Sequence, residues 1–314
     1  MGRRTRHGRA LNGVLILNKS AGMTSNRALQ IAKRLFDAQK AGHTGALDPL
    51  ATGVLPICFG EATKFSQYLL DADKSYRVRA RFGKTTTTLD SEGEEVARKD
   101  ATSLERSAVE NALQAFRGDI QQIPPMFSAL KVEGKPLYEL ARAGMEVDRK
   151  PRDVSIYRLE LTEFFPGAEP EAVFEVECSK GTYVRSLVAD IGDSLGVGAH
   201  VIALHRPEAG PYQESQAVSL ETLESERSDA EADCLDHYLL PEYSPVESFS
   251  AVELDTASAD FFIQGQAVIV PQVYRFGAEG DIVRVFVEDG QFLGVAEVSD
   301  DARILPRRLI ANHS

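Results

Sequence analysis

One aspartate stands out in the run KAGHTGALDPLATGVLPICFGEATKF, residues 40–65. Asp48 lies among Ala46, Leu47, Leu50 and Ala51, with His43 five positions before it and Pro49 directly after it. A proline biases the residue before it toward extended or turn backbone. Gly42, Gly45 and Gly53 permit close approach and unusual φ values. In most chains an Asp-Pro turn whose carboxylate caps its own loop would account for such a pattern. The apolar surroundings weigh against that reading here, because a buried carboxylate needs a charged partner. Its sequence neighbours offer only Lys40 and His43, so the partner is expected from elsewhere, and Arg185 in SKGTYVRSL is the candidate.

A single carboxylate with an arginine does not fit glycoside hydrolysis, which normally uses two carboxylates. His43 and Asp48 are too few for a metal site, and the chain has no HExxH, CxxC or DxDxDG pattern. There is no P-loop, and the glycine-containing GVGAH at 196–200 follows a helical run instead of a strand. The three cysteines, Cys58, Cys178 and Cys234, are odd in number and lack ligand spacing, so reduced thiols are expected. No metal site is expected.

The elements that must position these residues are legible in part. GVLILNKS (Gly13–Ser20) reads as a buried strand. TSNRALQIAKRLFDAQ opens on cap-type residues and repeats Ala28, Leu29, Ala32, Leu35 and Phe36 at helical spacing. SYRVRARFG alternates: Tyr76, Val78, Ala80 and Phe82 on one face, Arg77, Arg79 and Arg81 on the other. That is a half-buried strand with a basic outer face. SLERSAVENALQAF reads as an amphipathic helix, and AVFEVECSKGTYVRSLVADIGDSLG as strand, turn and helix. Residues 122–152 are broken by prolines and glycines and rich in Lys131, Lys135, Arg142, Arg149, Lys150 and Arg152, partly offset by Glu133, Glu139, Glu146 and Asp148. They read as a basic protruding segment around a short helix. After Pro245 the pattern changes to short alternating strands, with EDGQ as a hairpin turn. Two domains are expected, 1–245 and 246–314, in an α+β fold whose sheet is mixed and largely antiparallel, with a small β-rich second domain.

The net charge of −12 argues at first against a polyanionic partner. Its distribution changes that. Residues 207–260 hold 14 acids against one base, Arg227, so the rest of the chain is close to neutral. Within that rest the bases cluster at Arg3, Arg4, Arg6 and Arg9 and again at Arg77, Arg79 and Arg81. A phosphate backbone responds to such clusters, since screening limits reach to about 10 Å. No apolar run approaches a membrane span. The apolar run after the basic N-terminal residues ends in Asn18 and Lys19, too early for a secretion signal, so a cytoplasmic protein is expected.

The run AGHTGALDPLATGVLPICFGEATKFSQYLLDADKSYRV resembles the TruB family of bacterial tRNA pseudouridine synthases. So do RGDIQQIPPMFSALKVEGKPLYELARAG, CSKGTYVRSL and GVGAHVIAL, and together they cover most of residues 11–205. The C-terminal stretch is similar to that family's PUA-like RNA-binding domain. The resemblance implies the pseudouridine-synthase fold and an isomerase converting uridine 55 in the tRNA T-arm to pseudouridine. It makes Asp48 the nucleophile, attacking C1′ or C6 or taking a ribose proton, and Arg185 its partner. Tyr76 is implied to stack on the extruded base near C5 and is a candidate proton acceptor. Tyr183 and Leu204 match pocket positions, and His43 a residue that holds the uridine out of its stack. Lys19, Lys64 and Lys131 are candidate RNA backbone contacts. The reaction involves neither redox chemistry nor hydrolysis, so no cofactor is expected; tRNA is the expected partner, acted on by a monomer. The chain departs from the family pattern at Ser20 (usually Pro), Thr87 (often Asp) and His205 (usually Arg), positions expected at the RNA periphery. Two other readings compete. An RNA-binding protein without chemistry would have no reason to bury a carboxylate; a nucleoside hydrolase would want a second carboxylate or a metal cluster.

Overall fold

The computed structural model describes residues 8–132, 134–228 and 230–311; Arg3, Arg4, Arg6 and Glu133 lie outside the described residues. β1 (Gly13–Lys19) is buried along almost its whole length. Thr24 caps α1 (Ser25–Leu35) by accepting from Arg27 N, a cap that contributes about 1 kcal/mol. The helix buries Ala28, Leu29 and Ala32, and Phe36 after it stacks at 5.1 Å on Phe59. β2 (Ala41–His43) and β3 (Thr52–Phe59) flank the Asp48 turn. A 3-10 turn at Gly60–Phe65 leads into α2 (Ser66–Asp71) and β4 (Lys74–Phe82). β5 (Lys84–Thr86) and β6 (Glu95–Arg98) make a ribbon, and α3 (Arg106–Leu113) and β7 (Gly118–Gln122) follow. The basic segment contains the small hairpin of β8 (Lys131–Val132) and β9 (Lys135–Pro136), then α4 (Leu137–Arg142). The long pair β10 (Arg152–Phe165) and β11 (Glu171–Cys178) precedes α5 (Val184–Ser194) and β12 (Ala199–Ala209). β13 (Tyr212–Gln213), β14 (Val218–Ser219), α6 (Leu220–Arg227) and β15 (Leu239–Leu240) complete the first unit.

Among the described residues these strands form an eleven-stranded sheet with the path β14-β1-β3-β12-β4-β11-β10-β7. It is mixed and largely antiparallel, with β1–β14 and β12–β3 the parallel pairs. The main core lies where the apolar face of β4, with Val78, Ala80 and Phe82, meets α1, α3, α5 and α6. A smaller cluster, including Val14, Ile16, Val54, Cys58, Leu69 and Tyr212, lies apart from it. Cys58 and Cys178 are free and buried, and Cys234 is free and half-buried.

The outer face of β4 differs from the sequence expectation in one respect. Arg77 pairs with Glu163 at 2.6 Å, Arg79 with Glu171 at 2.5 Å, and Arg81 with Glu171 at 2.7 Å and Glu169 at 3.6 Å. Arg158 across the same face meets Glu160, Glu175 and Glu177. β11, β10 and the turn between them supply carboxylates to these guanidinium groups, so the stripe is a charge-balanced ladder and not a free basic surface.

A second sheet begins at β16 (Ala251–Leu254), which pairs parallel with β18 (Ile282–Val287). Its path continues through β19 (Phe292–Val298) and β20 (Arg303–Leu309) to β17 (Val268–Ile269), with α7 (Thr256–Ile263) packed against it. The junction with the first unit is aromatic: Phe65, Val246, Phe292 and Val295 are buried together, with Tyr68, Tyr243, Phe249 and Phe286 around them. No helix among the described residues is long and apolar enough to cross a membrane.

Candidate active site

Asp48 sits at the bend between β2 and β3, and the bend is held from several sides. Ala51 N donates to Asp48 O at 3.0 Å, and Gly22 N to Pro49 O at 2.9 Å. The buried hydroxyl of Ser25, first residue of α1, donates to Leu47 O and accepts from Leu47 N at 2.7 Å. Lys19, at the end of β1, is fully buried and donates to Ser20 O, Met23 O and Pro49 O at 2.9, 2.7 and 3.3 Å. This corrects the expectation of a backbone contact at Lys19: its ammonium clamps the loop after β1 to the Asp48 turn and has no surface left to meet RNA. Burial, the largest influence, lowers its pKa to about 8, against the attraction of Asp48.

The partner of Asp48 comes from the first turn of α5. Arg185 is 5% exposed. Its Nε lies 2.8 Å from Asp48 Oδ2 and its Nη2 donates to Asp48 Oδ1 at 3.0 Å, a two-pronged grip. The remaining N–H groups meet Phe127 O at 2.8 Å, Thr88 O at 2.7 Å and, at 3.7 Å, the buried Asp90 carboxylate. The Asp48 side chain keeps 34% of its surface, open toward the site, yet burial is the strongest influence on it and raises its pKa. The Arg185 charge opposes that rise, and Asp90 adds to it.

Tyr76 lies on β4 opposite Val176, half-buried beside the core, and Asp48 is near enough for its charge to reach the phenol. Burial raises the Tyr76 pKa, and the Arg206 guanidinium beside it works the other way. Leu204 is buried on the neighbouring strand β12, opposite Val78. Tyr183 is the N-cap residue of α5; its N–H donates to Gln122 Oε1 at 3.0 Å, which ties the end of β7 to the start of the helix. His43, at the end of β2, has a buried Nδ1 with no partner among the described residues, and its pKa is lowered by burial and by Arg206. The structure therefore gathers Asp48, Arg185 and Tyr76 at one place, with His43 and Leu204 on strands beside them.

Two lysines stand farther out. Lys64 donates to Leu309 O at 2.7 Å and pairs with Glu61 at 2.5 Å, while Glu61 accepts from Ala311 N. In place of a free RNA contact, Lys64 has the job of joining the two units. Lys131 is exposed on the hairpin of the basic segment.

Sequence reasoning missed Asp90 and Thr88 as partners of Arg185, and Arg206 and Lys74 altogether. Arg206 donates to Val54 O at 2.8 Å and Gly45 O at 2.9 Å. Lys74 donates to the closing carbonyls of α2, and burial lowers its pKa to about 8. Close approach here depends on glycine: a Cβ on Gly53 (φ +102) would stand 2.3 Å from Arg206 O. The available signal was alternation in β12, where Arg206 occupies an inward position two residues after Leu204. The three segments that depart from the family pattern were expected at the periphery, but they converge on this centre. Only the altered side chains turn away: Ser20 toward Glu221 at 3.4 Å, the exposed Thr87 to accept from Glu94 N at 3.1 Å, and His205 to Thr52 and Glu214.

The family model for the TruB pseudouridylate synthase N-terminal domain matches residues 33–184. The tRNA pseudouridylate synthase B C-terminal domain matches 185–247, and the pseudouridine synthase II TruB C-terminal model matches 250–310. A tRNA pseudouridine synthase B of Saccharophagus degradans is 54% identical over 311 residues, covering 99% of each chain. One from Pseudomonas aeruginosa is 54% identical over 302 residues, covering 96% of this chain and 97% of its own. Among solved structures, a chain of the archaeal box H/ACA sRNP Nop10-Cbf5 complex shares the fold, with TM-score 0.69 at 23% identity over 95% of this chain and 85% of that one. A chain of an H/ACA RNP bound to a substrate RNA containing 2'-deoxyuridine does so with TM-score 0.71 at 21% identity over 100% and 92%.

Proposed function

The chain belongs to the TruB family of pseudouridylate synthases, and from that premise we propose that it isomerises uridine to pseudouridine at position 55 in the T-arm of tRNA, with Asp48 as nucleophile. The observation that carries the assignment of Asp48 is the two-pronged grip of Arg185 at 2.8 and 3.0 Å on a carboxylate that stays open to the site. The grip aims Asp48 and opposes the rise that burial imposes on its pKa, which favours the ionised form a nucleophile or base needs. The target nucleotide must leave the T-loop for its carbons to be reached. Asp48 then attacks C1′ or C6, or takes a ribose proton; the N1–C1′ bond breaks, the base turns, C5 bonds to C1′, Asp48 gives up the bond it made or returns the proton it took, and the C5 proton departs while N1 takes one up. Tyr76 stacks on the base and is the candidate acceptor of that proton, Leu204 and Tyr183 wall the pocket, and His43 helps hold the uridine out of its stack. The reaction exchanges one bond for another and takes up neither water nor electrons, so a sheltered pocket serves it.

The division of labour we infer gives residues 1–245 the chemistry and 246–314 an RNA-binding role, with Lys131 on the basic segment as a backbone contact. A monomer working in the cytoplasm fits this reading. The test is release of tritium from a tRNA transcript carrying [5-³H]uridine. Asp48→Asn, nearly isosteric and a poor nucleophile, is expected to release none while binding tRNA within about tenfold of wild type, roughly 1.4 kcal/mol. Turnover near the wild-type rate in that variant would overturn the assignment of Asp48, and no release by wild type would overturn the activity itself.

A further inference from the structure

Arg206 is 1% exposed and has no carboxylate partner among the described residues. A buried guanidinium is costly unless something balances it. Two of its nitrogens reach only backbone carbonyls, Val54 O and Gly45 O. Its charge is felt by Tyr76, His43, Lys74 and Lys19, none of which can neutralise it. Of the cations around it, Arg185 is paired with Asp48 and faces Asp90, Lys19 feels Asp48 and Glu92, and Lys74 feels Asp73 and Asp71, so Arg206 is the one left without a carboxylate among the described residues. Nearby, His43 Nδ1 and Thr44 Oγ1 are buried without partners among the described residues. Arg206 thus holds a buried charge with no carboxylate against it before substrate arrives.

We propose that Arg206 is a positioning residue whose uncompensated charge, set beside Tyr76, stabilises the negative charge that forms on the uracil ring during isomerisation. This rests on the reading above. Each route open to Asp48 puts an electron pair on the ring. Attack at C6 moves the C5–C6 π pair onto C5 and O4. Cleavage of N1–C1′ leaves the bonding pair on the departing base. The charge persists until C5 donates a pair to C1′, after which the C5 proton leaves and its bonding pair restores the double bond, expelling the Asp48 carboxylate from C6 on the route where it had added there. A preorganised cation in a water-poor site helps most where charge develops, and costs no reorganisation at that moment. A backbone phosphate is a poorer occupant: the guanidinium lies too deep for direct contact with one, whereas stabilisation of a ring stacked on Tyr76 acts through the field.

The test compares uridine with 5-fluorouridine at the target position of a T-arm RNA, under single turnover with saturating full-length protein. Fluorine stabilises the uracil anion with little added bulk. Conversion is read as loss of the starting nucleoside after nuclease digestion and chromatography. Arg206→Gln is expected to slow uridine at least a hundredfold and 5-fluorouridine at least tenfold less than that, because the fluorine supplies part of what the guanidinium gave. Arg206→Lys, which keeps the charge, is expected within about tenfold of wild type on both. Equal losses on the two bases would show a purely structural arginine and overturn the proposal, as would an unaffected Arg206→Gln. If Arg206→Gln does not fold, Arg206→Lys decides: a rate as low as a hundredfold down, equal for both bases, overturns it, and a rate within tenfold supports it. Conversion of neither base by wild type would instead refute the functional reading.

Discussion

Replacing Arg185 by lysine isolates what its geometry contributes. A guanidinium offers five N–H donors, and here each faces an acceptor: two on Asp48, the carbonyls of Phe127 and Thr88, and the Asp90 carboxylate. Lysine offers three from a single atom, so at least two acceptors go without, and Asp48 keeps at most one prong. One charge-assisted hydrogen bond is worth about 1.5–3 kcal/mol, and about 2.7 kcal/mol is a hundredfold in rate. A catalytic group displaced by ~1 Å costs about as much. Arg185→Lys is therefore expected to keep the fold and tRNA affinity within about tenfold, and to lower the single-turnover rate about a hundredfold. Arg185→Ala goes further by removing the charge. Burial and Asp90 already hold the Asp48 pKa above the ordinary carboxylate range, and Arg185 is what opposes them. Asp48 acts when ionised, so the acidic limb of the pH–rate profile should move to higher pH in Arg185→Ala. Single-turnover kinetics against pH on both variants checks this. A rate within a few-fold of wild type for Arg185→Lys would refute the orienting role, and an unmoved acidic limb for Arg185→Ala would refute the electrostatic one.

Lys19→Met should loosen the Asp48 turn and lower turnover about tenfold or more at pH 7, with RNA affinity little changed, since three carbonyls lose their donor. The Lys19 pKa is depressed to about 8, so the folded protein releases that proton before the unfolded chain does; denaturant titrations should show wild-type stability rising, relative to Lys19→Met, as pH goes from about 8 to ~10. Arg79→Ala should change tRNA affinity by less than about twofold in filter binding, because that guanidinium is paired with Glu171, and should cost at most about 1 kcal/mol of stability; a loss of affinity above tenfold would restore the basic-face reading. Phe292→Ala empties the aromatic junction and should cost about 3–5 kcal/mol, seen as earlier thermal unfolding and faster proteolysis near residues 246–250.

The parts legible in sequence were those with local periodicity or local conflict. β4 and α1 announce themselves because side-chain alternation and the 3.6-residue repeat are written in neighbouring positions. Asp48 was conspicuous because a carboxylate among alanines and leucines needs an explanation. Its pairing with Arg185, 137 residues away, rested on charge logic and on the family resemblance. What stayed hidden was decided by partners distant in sequence. Lys19 looks like any lysine at the end of a strand until Pro49 O is seen above it. The β4 arginines look free until β10, β11 and the turn between them bring Glu163, Glu171 and Glu169 across. Nothing in Phe65 or Phe292 says that they share a core, because 3-10 turns and short strands have too few residues to show a period.

The buried thiols turn the protein into its own reporter of opening. Burial pushes Cys58 up to about 12 and Cys178 to about 11, so at neutral pH neither offers thiolate to a disulfide reagent. Cys58 is on β3, paired with β1 and β2, whereas Cys178 ends β11 beside Lys74 of β4. One thiol therefore samples the strands leading from the Asp48 turn, the other the strands bearing Tyr76. The rate at which each is labelled in native buffer measures how often its part of the sheet exposes it. Equal rates would mean that the two halves of the pocket open as one cooperative unit. Unequal rates would identify the half that breathes, and with it the side from which a nucleotide can be admitted without unfolding the rest.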